Sequence, residues 1–234
     1  MATHDLGSIK VISFDGDMTL WDFEKVMRHS LSLTLQELRR HVPDQAAAQL
    51  NIDKMIDVRN TVAAELRGTA NLEQIRLIAF QRTLELIHWH DPVLAADLNQ
   101  LYLKHRFEDI ELYPDVIPGL DVLKDFFSIG LLSNGNGYPE KCGLSGYFDF
   151  VIFSQDIGVE KPHAEIFLST CRQAGCQPWQ LIHIGDSLES DVAGANGVGA
   201  ISVWLNRKGE QNRSEIVPTF EIHSLLEVTK IVGR

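Results

Sequence analysis

The chain opens on a β-rich apolar run, Ile9-Lys10-Val11-Ile12-Ser13-Phe14, that breaks abruptly into Asp15-Gly16-Asp17. Such a run bounded by turn residues predicts a strand, and one that delivers acidic side chains at its C-terminal end. Over residues 23–110 the pattern is helical throughout. Met27, Leu31, Leu35 and Leu38 recur at helical spacing, and Asp53 starts a second periodic stretch that stops at Gly68. Asn71 with Gln74 three residues later forms a capping-box start, and Asp91-Pro92 supplies a cap with a first-turn proline. His88, Trp89 and His90 mark the end of the helix before that cap. The block predicts about four helices with no strand between them.

From Tyr113-Pro114 onward the texture changes, and short apolar runs alternate with helical patterns. Ile129–Ser133, Phe150–Phe153, Leu181–Ile184 and Ala200–Leu205 are expected strands. Ala164–Ala174, closed by Gly175, is an expected helix, and Ser224–Ile231 a last covering helix. This alternation predicts an α/β fold, a Rossmann-like parallel sheet with helices on both faces. The first strand has no partner near it in sequence and must join the same sheet. The expected organisation is therefore a core of residues 1–22 and 111–234, interrupted by an inserted all-helical domain at 23–110.

Length and charge narrow the picture. A chain of 234 residues buries roughly 70% of the surface its unfolded form exposes, so the core needs no staples. The three cysteines, Cys142, Cys171 and Cys176, are an odd number without metal-ligand spacing, which fits reduced thiols. No signal-peptide pattern and no membrane-length apolar run stand out, so a cytoplasmic protein without a membrane partner is expected. A net charge of -11 argues against a nucleic-acid polymer as partner, since that binding rests on Lys and Arg neutralising phosphates. A small anionic substrate is not excluded, because a bound cation reverses the local charge.

Ligands of open parallel sheets bind beyond the carboxyl ends of the strands. The segments found there are Asp15-Gly16-Asp17-Met18-Thr19-Leu20, Ser133-Asn134-Gly135, Glu160-Lys161-Pro162 and Gly185-Asp186-Ser187 with Asp191. Carboxylates gathered on one edge cannot all remain ionised without compensation. A hard divalent cation such as Mg2+ answers this with oxygen ligands and a substrate phosphate oxygen. A carboxylate serves as nucleophile on phosphorus, and a second acid protonates the leaving oxygen. The remaining groups clamp charge, which is most of what phosphoryl transfer requires.

At this point the sequence resembles the haloacid dehalogenase superfamily of hydrolases. Phe14-Asp15-Gly16-Asp17-Met18-Thr19-Leu20 is similar to the family's first motif, Leu132-Ser133-Asn134-Gly135 to its second, Lys161-Pro162 to its third, and Gly185-Asp186-Ser187 with Asp191 to its fourth. The resemblance implies Asp15 as nucleophile and Asp17 as acid/base, with Lys161 completing the catalytic set. It implies Mg2+ held by Asp15, Asp17 (through its carbonyl) and Asp186, with Asp191 supporting. Gly16, Thr19, Ser133, Asn134 and Lys161 would hold the phosphate and its loop, and the helical insertion would be a cap that selects a small phosphorylated metabolite. Two positions depart from the pattern: Met18 stands where many relatives carry glycine, and Ser190 replaces a longer polar residue before Asp191.

Plainer readings stand beside these. Asp15-Gly16 and Ser133-Asn134-Gly135 are turn-like, Lys161 is a candidate solvated charge, and Asp186 or Asp191 a candidate helix cap. Trp21, Asp22 and Phe23, where the chain leaves the core, read as packing or as substrate contacts. The nine histidines show no metal spacing, and Gly194, Gly197 and Gly199 follow a helix instead of opening one. Alternative activities are a 2-haloacid dehalogenase, against which Asp17 argues, a phosphomutase, or a catalytically silent binding protein. Monomer and homodimer are both compatible with the sequence.

Overall fold

The computed structural model describes residues 6–233. They divide into two compact units, Met1–Asp22 with Glu111–Arg234, and Phe23–Ile110.

The first unit is built on a parallel sheet of β1 (Val11–Phe14), β2 (Ser128–Ser133), β3 (Phe150–Phe153), β4 (Leu181–Gly185), β5 (Ile201–Leu205) and β6 (Phe220–Ile222). The strand order is β3-β2-β1-β4-β5-β6. β1, β4 and β5 are buried at every position, as expected of a parallel sheet covered on both faces. The sheet grows outward in both directions from β1, and right-handed crossovers then place helices on opposite faces. β6 is an edge strand that the sequence pattern did not reveal. It is three residues long, and its central Glu221 accepts a hydrogen bond from Asn206 Nδ2 at 2.7 Å, so no apolar run announces it.

The second unit contains α1 (Phe23–His41), a single turn α2 (Asp44–Ala47), α3 (Ile52–Glu65), α4 (Leu72–Glu85) and α5 (Pro92–Glu108). Its helices start where side chains satisfy free backbone N–H groups. Asn51 accepts from Lys54 N, Asn71 and Gln74 form a reciprocal capping box, and Asp91 accepts from Leu94 N ahead of Pro92. Leu31, Leu35 and Leu38 of α1 share one core with Phe80 and Leu84 of α4 and with Leu94, Leu98 and Tyr102 of α5. Val62 of α3 packs against Ile75 and Ala79 of α4. On the rim, Asp109 Oδ2 lies 3.2 Å from His29 Nε2 and 2.7 Å from His105 Nδ1, tying α1 to the end of α5. Sequence spacing did not reveal this group, because His29 comes from another helix.

The remaining helices belong to the first unit: α6 (Val116–Leu123), α7 (Ser154–Ile157), α8 (Ala164–Ala174), α9 (Ala193–Val198) and α10 (Val228–Ile231). The single covering helix expected over Ser224–Ile231 is instead a 3-10 turn, Leu225–Glu227, followed by the short α10. Its start is fixed by a capping box between Ser224 and Glu227 and by Asp115, whose Oδ2 accepts from Ser224 Oγ and Leu225 N, each at 2.8 Å. No helix among the described residues is long and apolar enough to cross a membrane.

Candidate active site

The strand order reverses between β1 and β4, the position at which doubly wound sheets open a crevice beyond their carboxyl ends. Phe14 pairs with Ile184, and Asp15 N donates to Ile184 O at 2.8 Å. The two acidic loops therefore leave the sheet at the same level. After β4 the chain makes one π-type turn, Leu188–Val192, capped by Ser187 Oγ, which accepts from Ser190 N. The cap is thus Ser187, and not Asp186 or Asp191 as the turn chemistry allowed. Asp191 folds back within this turn so that its Oδ2 accepts from Ser187 N at 3.0 Å. Carboxylate oxygens of Asp15, Asp186 and Asp191 come within 4.8 Å of one another.

Lys161 is not a solvated charge. It is 4% exposed, and its Nζ donates to Asp15 Oδ1 at 2.7 Å, Asp191 Oδ1 at 2.6 Å and Leu132 O at 2.9 Å. An ammonium has three donors, and all three are used. Asn134, expected at the phosphate, directs its side chain elsewhere. Its Oδ1 accepts from Lys161 N at 2.8 Å and its Nδ2 donates to Lys161 O at 3.1 Å, a two-point grip on the lysine backbone.

The charges settle unequally. Burial pushes the Asp15 carboxyl up to about 8, against the pull of Lys161 and with help from Asp191 and Asp186. Asp186 is likewise raised, to about 6, by burial and then by Asp191. Burial works against ionised Asp191 too, but Lys161 and His183 outweigh it and hold that carboxyl well below the usual range. Burial opposes charge on Lys161, and its two acids more than restore it.

His183 and Ser13 lie behind the site. They stand opposite each other on β4 and β1, with Ser13 Oγ 2.8 Å from His183 Nδ1 and His183 Nε2 3.0 Å from Asp191 Oδ1. Burial lowers the imidazole's pKa. A neutral ring carrying its proton on Nε2 satisfies both contacts, with the serine hydroxyl donating to Nδ1.

The loop after β1 holds the other expected residues. Leu20 N donates to Gly16 O and Met18 N to Trp21 O, each at 2.8 Å, which closes a tight turn. Met18 sits in the left-handed region at φ 66°, the conformation that glycine adopts without strain. Thr19 is buried, its Oγ1 reaching Asp186 Oδ1 at 3.5 Å and its carbonyl accepting from Arg207 Nη2 at 2.9 Å. Arg207 in turn donates to Asp115 and lies over the Tyr113 ring. Ser133 Oγ accepts from Gly135 N at 3.0 Å. Asp17 Oδ1 accepts from the indole of Trp21 at 2.7 Å.

Sequence reasoning missed Ser13, His183 and Arg207, and gave Trp21 only a packing or substrate role. The signal for the first pair was a polar residue at the same level of two otherwise apolar strands.

The donor set fits a hard cation. Carboxylate oxygens of Asp15, Asp186 and Asp191 lie within 4.8 Å of one another around the Lys161 ammonium, and every candidate ligand is oxygen.

The parallel sheet and the acids gathered at its reversal point put the candidate site where doubly wound α/β enzymes bind their ligands. The family profile for haloacid dehalogenase-like hydrolases matches residues 9–199, and the chain belongs to that family. Glyceraldehyde 3-phosphate phosphatase of Methanopyrus kandleri is 32% identical over 152 residues, spanning 61% of this chain and 65% of that protein. Pyrimidine 5'-nucleotidase YjjG of Escherichia coli K12 is 26% identical over 94% of this chain and 96% of its own length. Among solved structures, a 2-haloacid dehalogenase from Pseudomonas syringae pv. Tomato DC3000 superposes with a TM-score of 0.80 at 26% identity, covering 97% of this chain and 99% of that one.

Proposed function

We propose that the protein is a Mg2+-dependent phosphatase acting on a small phosphate monoester of the sugar-phosphate or nucleotide-monophosphate type. The observation that carries this is the meeting of Asp15 with Asp186 and Asp191 at the reversal point, with a separate acid, Asp17, two residues from the nucleophile. The phosphatase relatives, one acting on a triose phosphate and one on pyrimidine nucleotides by their names, support the substrate class.

In this reading an Asp15 carboxylate oxygen attacks phosphorus and the bond to the ester oxygen breaks. The departing oxygen takes its proton from Asp17. Water then attacks the aspartyl phosphate and gives its proton to Asp17, and the bond from phosphorus to Asp15 breaks to release inorganic phosphate. Asp15 and Asp186 would hold Mg2+, with the Asp17 carbonyl, and the ion would supply positive charge to the transferring oxygens. Asp191 does not need to touch it, since both its oxygens are engaged by Lys161, His183 and Ser187. Asn134 holds Lys161, and Lys161 holds Asp15. Residues 23–110 would serve as the cap that selects the substrate.

The test is turnover of phenyl phosphate with Mg2+, with chelator, and by Asp15→Asn. Hydrolysis that needs the metal and is lost in the variant supports the proposal. Metal-independent halide release from a 2-haloacid, the reaction named for the Pseudomonas structure, or no turnover by folded protein, overturns it.

A further inference from the structure

Asp17 lies outside the cluster of Asp15, Asp186 and Asp191, and one of its oxygens is held by an indole. Trp21 is fully buried, and its Nε1–H donates to Asp17 Oδ1 at 2.7 Å. The turn that joins the two residues is closed by Met18 N donating to Trp21 O. Backbone bridges on either side, Asp17 with Trp21 and Trp21 with Leu112, fix where the tryptophan leaves the chain.

The buried ring lies close against the backbone of two glycines. A Cβ added to Gly16 would stand 2.9 Å from its Cη2 and Cζ2, and one added to Gly137 would stand 2.5 Å from Cζ2. These contacts are closer than van der Waals packing allows, so the two glycines form a slot that only the bare backbone leaves open. The carboxylate is confined in the same way, since a Cβ on Gly135 would come 2.6 Å from Asp17 Oδ2. Three glycines from two loops thus shape the space around one tryptophan–aspartate pair.

The chemistry of the donor matters. An indole N–H donates only and does not accept a proton. It orients the carboxyl without competing for the proton that an acid/base must pass on. Holding one oxygen fixes the direction of the other, and proton transfer depends on that alignment.

We propose that Trp21 is the positioning residue of the general acid, its wedged indole N–H setting the Asp17 carboxyl in line for proton transfer to the leaving oxygen. The proposal rests on the phosphatase reading above. Trp21 touches no substrate in this role and acts through Asp17 alone.

The test compares two aryl phosphates of similar size through kcat/KM, which reports the step in which the ester oxygen departs. Phenyl phosphate leaves as a basic phenoxide and needs the acid; 2,4-dinitrophenyl phosphate leaves unaided. Trp21→Phe removes the donor and, lacking Cζ2 and Cη2, leaves the far end of the slot open. It should lower kcat/KM on phenyl phosphate about tenfold to a hundredfold, and on the dinitrophenyl ester about twofold or less. In an Asp17→Asn background it should add nothing on either ester. Equal losses on both esters, no loss on either, or a full further loss in the Asp17→Asn background overturns the proposal. Should Trp21→Phe not fold, as judged by circular dichroism, benzothienylalanine at position 21 keeps the ring shape, replaces N–H by sulfur, and is held to the same outcomes. The two ideas fail differently. A wild-type enzyme inactive on both esters sinks the phosphatase reading, whereas an active enzyme that loses activity in Asp15→Asn but ignores leaving-group acidity in Trp21→Phe sinks only the role of Trp21.

Discussion

Ser13 and His183 face each other across β1 and β4, joined from Oγ to Nδ1 at 2.8 Å. From there hydrogen bonds run through His183 to Asp191, from Asp191 to Lys161, and from Lys161 to Asp15. This series of bonds crosses the middle of the sheet from a strand interior to its carboxyl edge. Ser13→Ala removes the donor to a fully buried ring nitrogen, and an unpaired buried acceptor costs about 1–3 kcal/mol. Urea unfolding should show that loss; a midpoint equal to wild type would mean the hydroxyl contributes nothing.

Lys161 stands between two acids in a place closed to water. Removing one partner of a buried charge pair destabilises by about 3–5 kcal/mol, because the other charge is left uncompensated. Lys161→Met in the presence of chelator should show a loss of that order. Adding Asp191→Asn should recover part of it. If the double variant is as unstable as the sum of the singles, measured by urea unfolding, the lysine is not held chiefly by its charge.

Asp115 makes a pH prediction outside the cluster of Asp15, Asp186 and Asp191. Burial tends to raise its pKa, but Arg207, Leu225 N and Ser224 together hold it below the ordinary 3.8. A folded-state pKa below the unfolded one adds stability that is present above the unfolded value and is lost as pH falls through the folded value. Asp115→Asn should therefore be less stable than wild type at neutral pH, by about 1.5–3 kcal/mol for charged hydrogen bonds. The gap should narrow as pH drops below 3.8. Urea midpoints across that range check the sign, and a gap that widens in acid refutes it.

Met18 carries a left-handed backbone at φ 66°. That conformation costs an L-residue about 1–2 kcal/mol, while glycine loses about 0.5–1 kcal/mol more chain entropy on folding. Met18→Gly should leave a net gain of about 0.5–1 kcal/mol, a rise of about 1–4 °C in Tm for a chain this size. A lower Tm by calorimetry would show that the methionine side chain offsets its own strain.

Much of this structure was legible in the residues. The interior strands β1, β2, β4 and β5 and the apolar edge strand β3 read as plain apolar runs, so β1 to β5 were placed within two residues of their observed ends. The helix starts at Asn71 and Asp91 were visible because capping has a local signature. β6 was not, since an edge strand of three residues with glutamate at its centre carries no period. The acids and Lys161 were recoverable as strand-end residues. Their partners were not. Whether the Asn134 side chain faces a phosphate or the Lys161 backbone depends on where another loop passes, and Ser13 gives no hint of His183 until the register of β1 against β4 is known. Trp21 looked like packing, because the glycines that shape its slot are distant in sequence.

The strand order has a consequence for biosynthesis. β1 lies in the middle of the sheet, yet its neighbours β2 and β4 begin at Ser128 and Leu181. At about 5–20 residues per second, a ribosome releases the N-terminal strand many seconds before either flank exists. Residues 23–110 are complete by then and rich in local contacts, which form fast. The nascent chain therefore meets its helical unit first, and carries an unpaired apolar strand ahead of it until the C-terminal half emerges.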